Sequence, residues 1–317
     1  MYTPQEYKNI IEMSPNNKFL LVEGRDDLYL IQALFDETLG LDWRDTYGIV
    51  IDKAEVLLSE PEKSKAIEAV VKLVSKTNLR DKLVGFVDRE FRGFTWENGV
   101  LTDIIKKHFI DDRLLWTRGH SAENYFLDKK ILLTPFRDVS GEIFQKSYAM
   151  FKKNFDSYLR VACKLSLTAK NLKYLTRIRT SIEWDMIEES GNFDIEKWKK
   201  QLSKRGFSPQ DVQKIITTYI EIDNVVNSAD IETIRWFCDG HLSFLLLWRA
   251  FARCVYEATE LIGDKRAMVQ RVLKYGDETR FNTCASVWAK SAQSSSCEYP
   301  KEIFKLLDLI HSQESLS

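Results

Sequence analysis

Short apolar runs alternate with helically spaced apolar residues over the first 130 positions. Lys18–Val22 (KFLLV) ends on Glu23-Gly24 and reads as a buried strand entering a turn. From Arg25 to Leu39, Leu28, Ile31, Leu34 and Phe35 recur at helical spacing, and Gly40 stands where a helix C-terminus favours glycine. Tyr47–Ile51 is a second predicted strand, and residues 61–75 a second amphipathic helix. Leu83–Val87 (LVGFV) is a third strand, ending at Asp88, and Leu114–Thr117 a fourth, ending before Gly119-His120-Ser121. Strands alternating with helices imply a parallel sheet with right-handed crossovers, in which functional residues gather at the carboxyl ends of the strands.

The pattern changes after about residue 130. Phe144, Tyr148, Phe151, Phe155, Tyr158 and Ala162 recur at spacings of 4, 3, 4, 3 and 4, which predicts a long amphipathic helix. Further helices are expected near 168–189, 194–204, 208–226, 229–260, 264–274 and 300–312, with Ser291–Ser296 as a polar linker. The expected organisation is an α/β domain over residues 1–135 and a mainly helical domain over 136–317.

Composition narrows the class. A chain of 317 residues that is 44% hydrophobic and 29% charged can bury a sizeable core. Its 46 basic and 47 acidic residues leave a net charge of −1, so any nucleic-acid surface must be local. The N-terminal residues show no basic segment followed by an apolar one, so no secretory leader is expected. The most apolar run, Leu242–Tyr256, contains Arg249 and Arg253 and is shorter than the roughly 20 residues of a membrane span. Five scattered cysteines without a C-x-x-C pair argue against a zinc site or a disulfide framework and for the cytoplasm.

Carboxylates stand at the predicted strand ends. Glu23 ends the first strand, Gly24 allows a sharp turn, and Asp26 and Asp27 open the next helix. Asp88 and Glu90 follow the third strand, two apart, so in extended chain both face one side. Oxygen-rich sites of this kind suit Mg²⁺ or Mn²⁺, which clamp a phosphodiester and activate water. Asp27 is either a further ligand or a helix cap.

These segments carry a resemblance. Val22-Glu23-Gly24 with Asp27, an apolar strand ending Asp88-Arg89-Glu90, and then His120-Ser121-Ala122-Glu123-Asn124-Tyr125 are similar to the toprim nucleases. The nearest likeness is a toprim-like group allied to the OLD-family nucleases, which includes the nuclease effectors of PARIS anti-phage systems. The match spans about residues 18–127, and Glu90 replaces the second aspartate of the usual pair. The resemblance implies a toprim-like sheet and makes Glu23 a general acid/base or ligand. It makes Asp88 and Glu90 ligands, with Glu123 completing the acidic cluster. It further implies an endonuclease acting on transfer RNA or DNA, an ABC-type ATPase partner that holds it inactive, and a homodimer on release.

Two features lie outside those motifs. Between Lys146 and Arg179, nine basic residues (Lys146, Lys152, Lys153, Arg160, Lys164, Lys170, Lys173, Arg177 and Arg179) face one acid, Asp156. That band is either a nucleic-acid surface or a solvated helix face. His120 either bonds a backbone carbonyl or serves a phosphate. His241, in Asp239-Gly240-His241, is either buried and hydrogen-bonded or aimed at phosphate from a helix start. Two competing readings are a non-catalytic module docking on the ATPase and a phosphotransferase with Asp88 as nucleophile.

Overall fold

A computed structural model describes residues 1–57, 62–96, 99–260 and 262–309. Pro61, the predicted start of the second helix, and residues 310–312, the predicted end of the last, lie outside the described residues. The chain forms two compact units, which differ from a simple division at residue 135. Unit 1 comprises 1–89, 105–118 and 285–317; unit 2 comprises 90–104 and 119–284.

Unit 1 is α/β. Its strands are β1 (Lys18–Val22), β2 (Ile49–Lys53), β3 (Leu83–Val87), β6 (Phe109–Asp111) and β7 (Leu114–Trp116), in the sheet order β2-β1-β3-β7-β6. The first four in that order run parallel, as the alternating pattern requires. Strand β6 was not anticipated; it pairs antiparallel with β7 across a turn in which Asp112 adopts a φ of 55°, a conformation aspartate tolerates. The helices of this unit are α1 (Pro4–Met13), α2 (Arg25–Leu39), α3 (Trp43–Tyr47), α4 (Lys63–Val74) and α15 (Glu302–Leu306).

Strand alternation builds two apolar faces. Phe19, Leu21, Leu83, Val87 and Leu114 form one buried cluster with Tyr7 and Ile11 of α1 and Ile67, Val70 and Val74 of α4. Leu20, Val22, Val84, Phe86 and Leu115 alternate with them and are fully buried. Phe35 of α2 packs edge-on against Trp43 and at a tilt against Phe304 of α15. Gly85 lets α4 lie close to the sheet, because a Cβ there would come within 2.7 Å of Leu114 and 2.8 Å of Ile67.

Unit 2 is mainly helical, with a short antiparallel pair, β4 (Phe94–Thr95) and β5 (Thr102–Asp103). Its helices are α5 (Lys129–Ser140), α6 (Phe144–Leu172), α7 (Leu175–Ser181), α8 (Ile195–Lys204), α9 (Pro209–Glu221), α10 (Asp223–Ser228), α11 (Ile231–Phe237), α12 (Gly240–Ala258) and α13 (Ile262–Leu273). Helix α14 (Asp277–Gln293) begins here, and its residues from Ala285 onward belong to unit 1. The aromatic stripe of α6 is buried as its spacing predicts. It meets α5 and α12 in a stack of rings, with Phe136 and Phe251 parallel at 3.9 Å and Phe151 and Trp248 edge-on to Phe136. The single helix expected over 229–260 is two, because Asp239 caps a new helix at Gly240. All five cysteines are free thiols, and no helix among the described residues is long and apolar enough to cross a membrane.

Candidate active site

In unit 1, Glu23 follows the last residue of β1 and Asp88 the last residue of the neighbouring strand β3. Val22 lies opposite Phe86, so the parallel register brings the two strand ends level. The backbone N–H of Asp88 donates to Glu23 Oε1 at 2.8 Å. Gly24 is the extended N-cap of α2, and Asp27 Oδ2 accepts its N–H at 2.9 Å. Asp27 therefore has the capping role, holding the turn that presents Glu23.

Sequence reading missed two cations here. Arg89 is fully buried directly behind Asp88; its N–H donates to Thr117 Oγ1 and its Nη1 to the carbonyl of Arg118, both at 2.9 Å. A buried guanidinium needs such acceptors, and here they anchor the loop that carries Asp88. Lys63 pairs with Glu55, and its Nζ lies 4.0 Å from where a Cβ on Gly24 would stand. No apolar periodicity marks either residue.

Glu90 departs from the extended geometry expected of it. Its φ is 52°, and its N–H donates to the carbonyl of His120 at 2.7 Å. Two residues point to the same side of a strand only while the backbone stays extended, and the turn at Glu90 ends that alternation.

Glu90, His120, Glu123 and His241 all belong to unit 2. There the segment 119–126 forms a tight turn against the start of α12. Ser121 is the N-cap of a 3-10 turn, Ala122–Phe126. Asn124 accepts the Ser121 N–H at 2.8 Å and donates to the carbonyls of Arg235 (2.7 Å) and Cys238 (2.9 Å). One side chain thus ties the turn to the end of α11. Asp239 caps α12 by accepting the Leu242 N–H at 2.8 Å. Gly240 permits the close approach: a Cβ there would meet Ser121 Oγ at 2.1 Å and Glu123 Oε2 at 3.0 Å.

Both oxygens of Glu123 are engaged within unit 2. Ser121 Oγ donates to Oε2 at 2.6 Å, and His241 Nδ1 lies 2.5 Å from Oε1. Its side chain is 4% exposed, whereas that of His241 is 52% exposed. The Glu123 carboxylate pushes His241 up to about 9, against an opposing effect of burial, so the imidazole is charged at neutral pH. Burial opposes ionisation of Glu123, but His241 and Ser121 together hold its pKa below the usual carboxylate value. Glu123 is thus the counter-ion of a histidinium, a different task from the ligand role expected of it.

His120 is largely buried. Its main-chain N–H donates to the Trp236 carbonyl at 2.8 Å, its ring stands edge-on to Phe91, and its Nε2 lies 4.0 Å from Asp239. Burial lowers its pKa, more than the Asp239 charge raises it. The bond to Trp236 belongs to the main chain and not to the imidazole, whose Nδ1 is buried without a hydrogen-bond partner among the described residues. The side-chain bond to a carbonyl expected of His120 is therefore not made; His241 stands at a helix start.

The basic band of unit 2 divides into two sorts. Arg160 donates to the carbonyls of Val226 (2.6 Å) and Ala229 (3.1 Å), and Lys164 pairs with Asp223 at 2.7 Å, so both serve the packing of α6 on α10. Arg177 lies over the Phe207 ring and Lys170 over Phe91. Lys152, Lys153, Lys170, Lys173 and Arg177 are exposed.

Among the described residues, no three His, Cys, Asp or Glu side chains converge as ligands of one metal ion. Glu23 and Asp88 nevertheless offer the hard oxygen donors that Mg²⁺ and Mn²⁺ prefer. No protein-family model matches the chain, and no curated protein matches it.

Proposed function

We propose that this chain is a metal-dependent phosphodiesterase of the toprim nuclease type, acting through Glu23 and Asp88. The observation that carries the reading is the link between Asp88 N–H and Glu23 Oε1, which joins two carboxylate-bearing ends of adjacent parallel strands. Functional groups collect at that edge of parallel sheets. Glu23 and Asp88 would hold Mg²⁺ or Mn²⁺. The ion, when bound, supplies a Lewis acid for phosphate oxygen and lowers the pKa of water. The protein's own contribution is positional: Asp27 fixes the turn after β1, and Arg89 fixes the loop after β3.

The resemblance carries the remainder of the reading. The substrate is RNA, with transfer RNA favoured over DNA, and the setting is a bacterial anti-phage system. An ABC-type ATPase of that system sequesters the chain, and the released chain acts as a homodimer in the cytoplasm. The test is incubation of the free protein with total transfer RNA and with plasmid DNA, in Mg²⁺ or EDTA. Cleavage that needs Mg²⁺ and disappears in Glu23→Gln and Asp88→Asn is the expected result. Cleavage that persists in both variants sinks the assignment.

The second reading, a non-catalytic module that docks on the ATPase, has its own observation. Among the described residues no three-ligand group is assembled, and Glu90 leaves the extended path after Asp88. It predicts ATPase binding without cleavage of either nucleic acid.

A further inference from the structure

We propose that Glu123 and His241 form a phosphate-recognition site in unit 2, in which the buried carboxylate fixes the imidazole so that Nε2–H donates to a backbone phosphate of a nucleic acid. The inference rests on the nuclease reading only for the identity of the ligand.

The asymmetry of the pair is the first argument. A purely structural ion pair in a core hides both partners, because each must be shielded and satisfied. Here the acid is buried and held on both oxygens, whereas half of the histidine side chain is open. Glu123 holds Nδ1, which sets the ring orientation and leaves Nε2 as the outward donor. A carboxylate behind a histidine is the usual means of fixing an imidazole that faces a ligand.

The surroundings favour an anion. His241 is the second residue of the 19-residue helix α12, whose N-terminus carries partial positive charge. The Asp239 side chain takes the Leu242 N–H, while the N–H groups of Gly240 and His241 precede the first intrahelical bonds. Arg179 of α7 lies near enough for its charge to oppose that of His241. Asp239, the acid on the same turn, has one oxygen in the cap and the other facing His120. Exposed Lys170, Lys173 and Arg177 continue the positive charge along α6 and α7, which fits a polyanion better than a single small anion.

Geometry also shows that the arrangement is built for closeness. Only glycine at position 240 admits Ser121 and Glu123 against the helix start.

The test uses the full chain carrying Asp88→Asn, in EDTA, so that binding is read without hydrolysis. The probes are inorganic phosphate, followed through the imidazole nitrogens of ¹⁵N-histidine, and short single-stranded RNA and DNA, followed by fluorescence anisotropy. Four histidines in the chain make the His241 resonance assignable by one substitution. The expected result is movement of the Nε2 resonance with phosphate and with oligonucleotide. His241→Ala should weaken oligonucleotide binding about tenfold, the loss of one charged hydrogen bond, and flatten its salt dependence by about one ion. His241→Gln, which keeps an N–H donor and fills the site, should recover part of that loss. An unmoved resonance together with unchanged affinity in both variants overturns the proposal. So does a resonance that moves with phosphate while oligonucleotide affinity stays unchanged, since that leaves a small-anion site. Loss of cleavage in Glu23→Gln with binding intact bears on the proposed function alone.

Discussion

Glu23 Oε1 accepts a hydrogen bond from the main chain of Asp88 at 2.8 Å, so a side chain of one strand end fixes the backbone of the next. This bond separates chemistry from folding. Glu23→Gln retains an oxygen acceptor and should unfold at the wild-type temperature while losing all Mg²⁺-dependent cleavage. Glu23→Ala leaves the Asp88 N–H without that acceptor and should cost about 1–2 kcal/mol in addition. Thermal melts of the two variants beside a cleavage assay check both halves.

The Glu123–His241 pair makes stability depend on pH at both ends. The folded pKa of His241 lies near 9, above its ordinary 6.5. Its contribution is therefore complete below about 6.5 and disappears as pH rises through about 9. Glu123 is shifted downward from 4.5, so its contribution is complete above that value and falls away at lower pH. Urea unfolding should show a loss between pH 7 and 9 that is absent in His241→Gln. An identical slope in the variant would remove the pair as its cause.

Gly240→Ala is the sharpest test of the turn around Glu123. Its Cβ would stand 2.1 Å from Ser121 Oγ, so the helix start must shift or the serine must rotate away from Glu123. Overpacking of this kind costs about 1–3 kcal/mol. The His241 pKa should drop toward its ordinary value in the same variant, read by NMR titration, because its partner is displaced.

Two charge removals within the basic band should behave oppositely. Arg160→Ala strips donors from the Val226 and Ala229 carbonyls and should destabilise unit 2, with little effect on nucleic-acid affinity once folded. Lys152→Ala with Lys153→Ala should leave the melting temperature unchanged, since both side chains are exposed. Any nucleic-acid role of the band then appears as a reduced salt dependence of binding. Reversal of this pattern would move the binding surface onto α6 near α10.

Most of the parallel sheet was legible because buried strands write themselves as apolar runs: β1 and β3 lie where KFLLV and LVGFV predict them. The long helix α6 was legible from its aromatic spacing. Strand β6 was not, since Phe109-Ile110-Asp111 is short and exposed on every residue. Helix α5 was not either, and it carries Pro135, a residue that removes a helix hydrogen bond, on its buried face. Glu23 and Asp88 were legible as polar residues ending apolar strands. The turn at Glu90 was hidden, because nothing in a glutamate announces a positive φ. The partnership of Glu123 with His241 was hidden too, since 118 residues separate them and only packing brings them together.

Unit 1 is assembled from three stretches of chain, and the last begins at residue 285. That stretch supplies the carbonyl of Leu307, bound by Lys18 on β1, and the carbonyl of Leu306, bound by Arg113 beside β7. A ribosome making the protein therefore releases every residue of unit 2 before the sheet receives its final supports. The edge that carries Glu23 and Asp88 is made early and finished late, so a nascent chain interrupted before residue 285 holds both carboxylates without the completed scaffold.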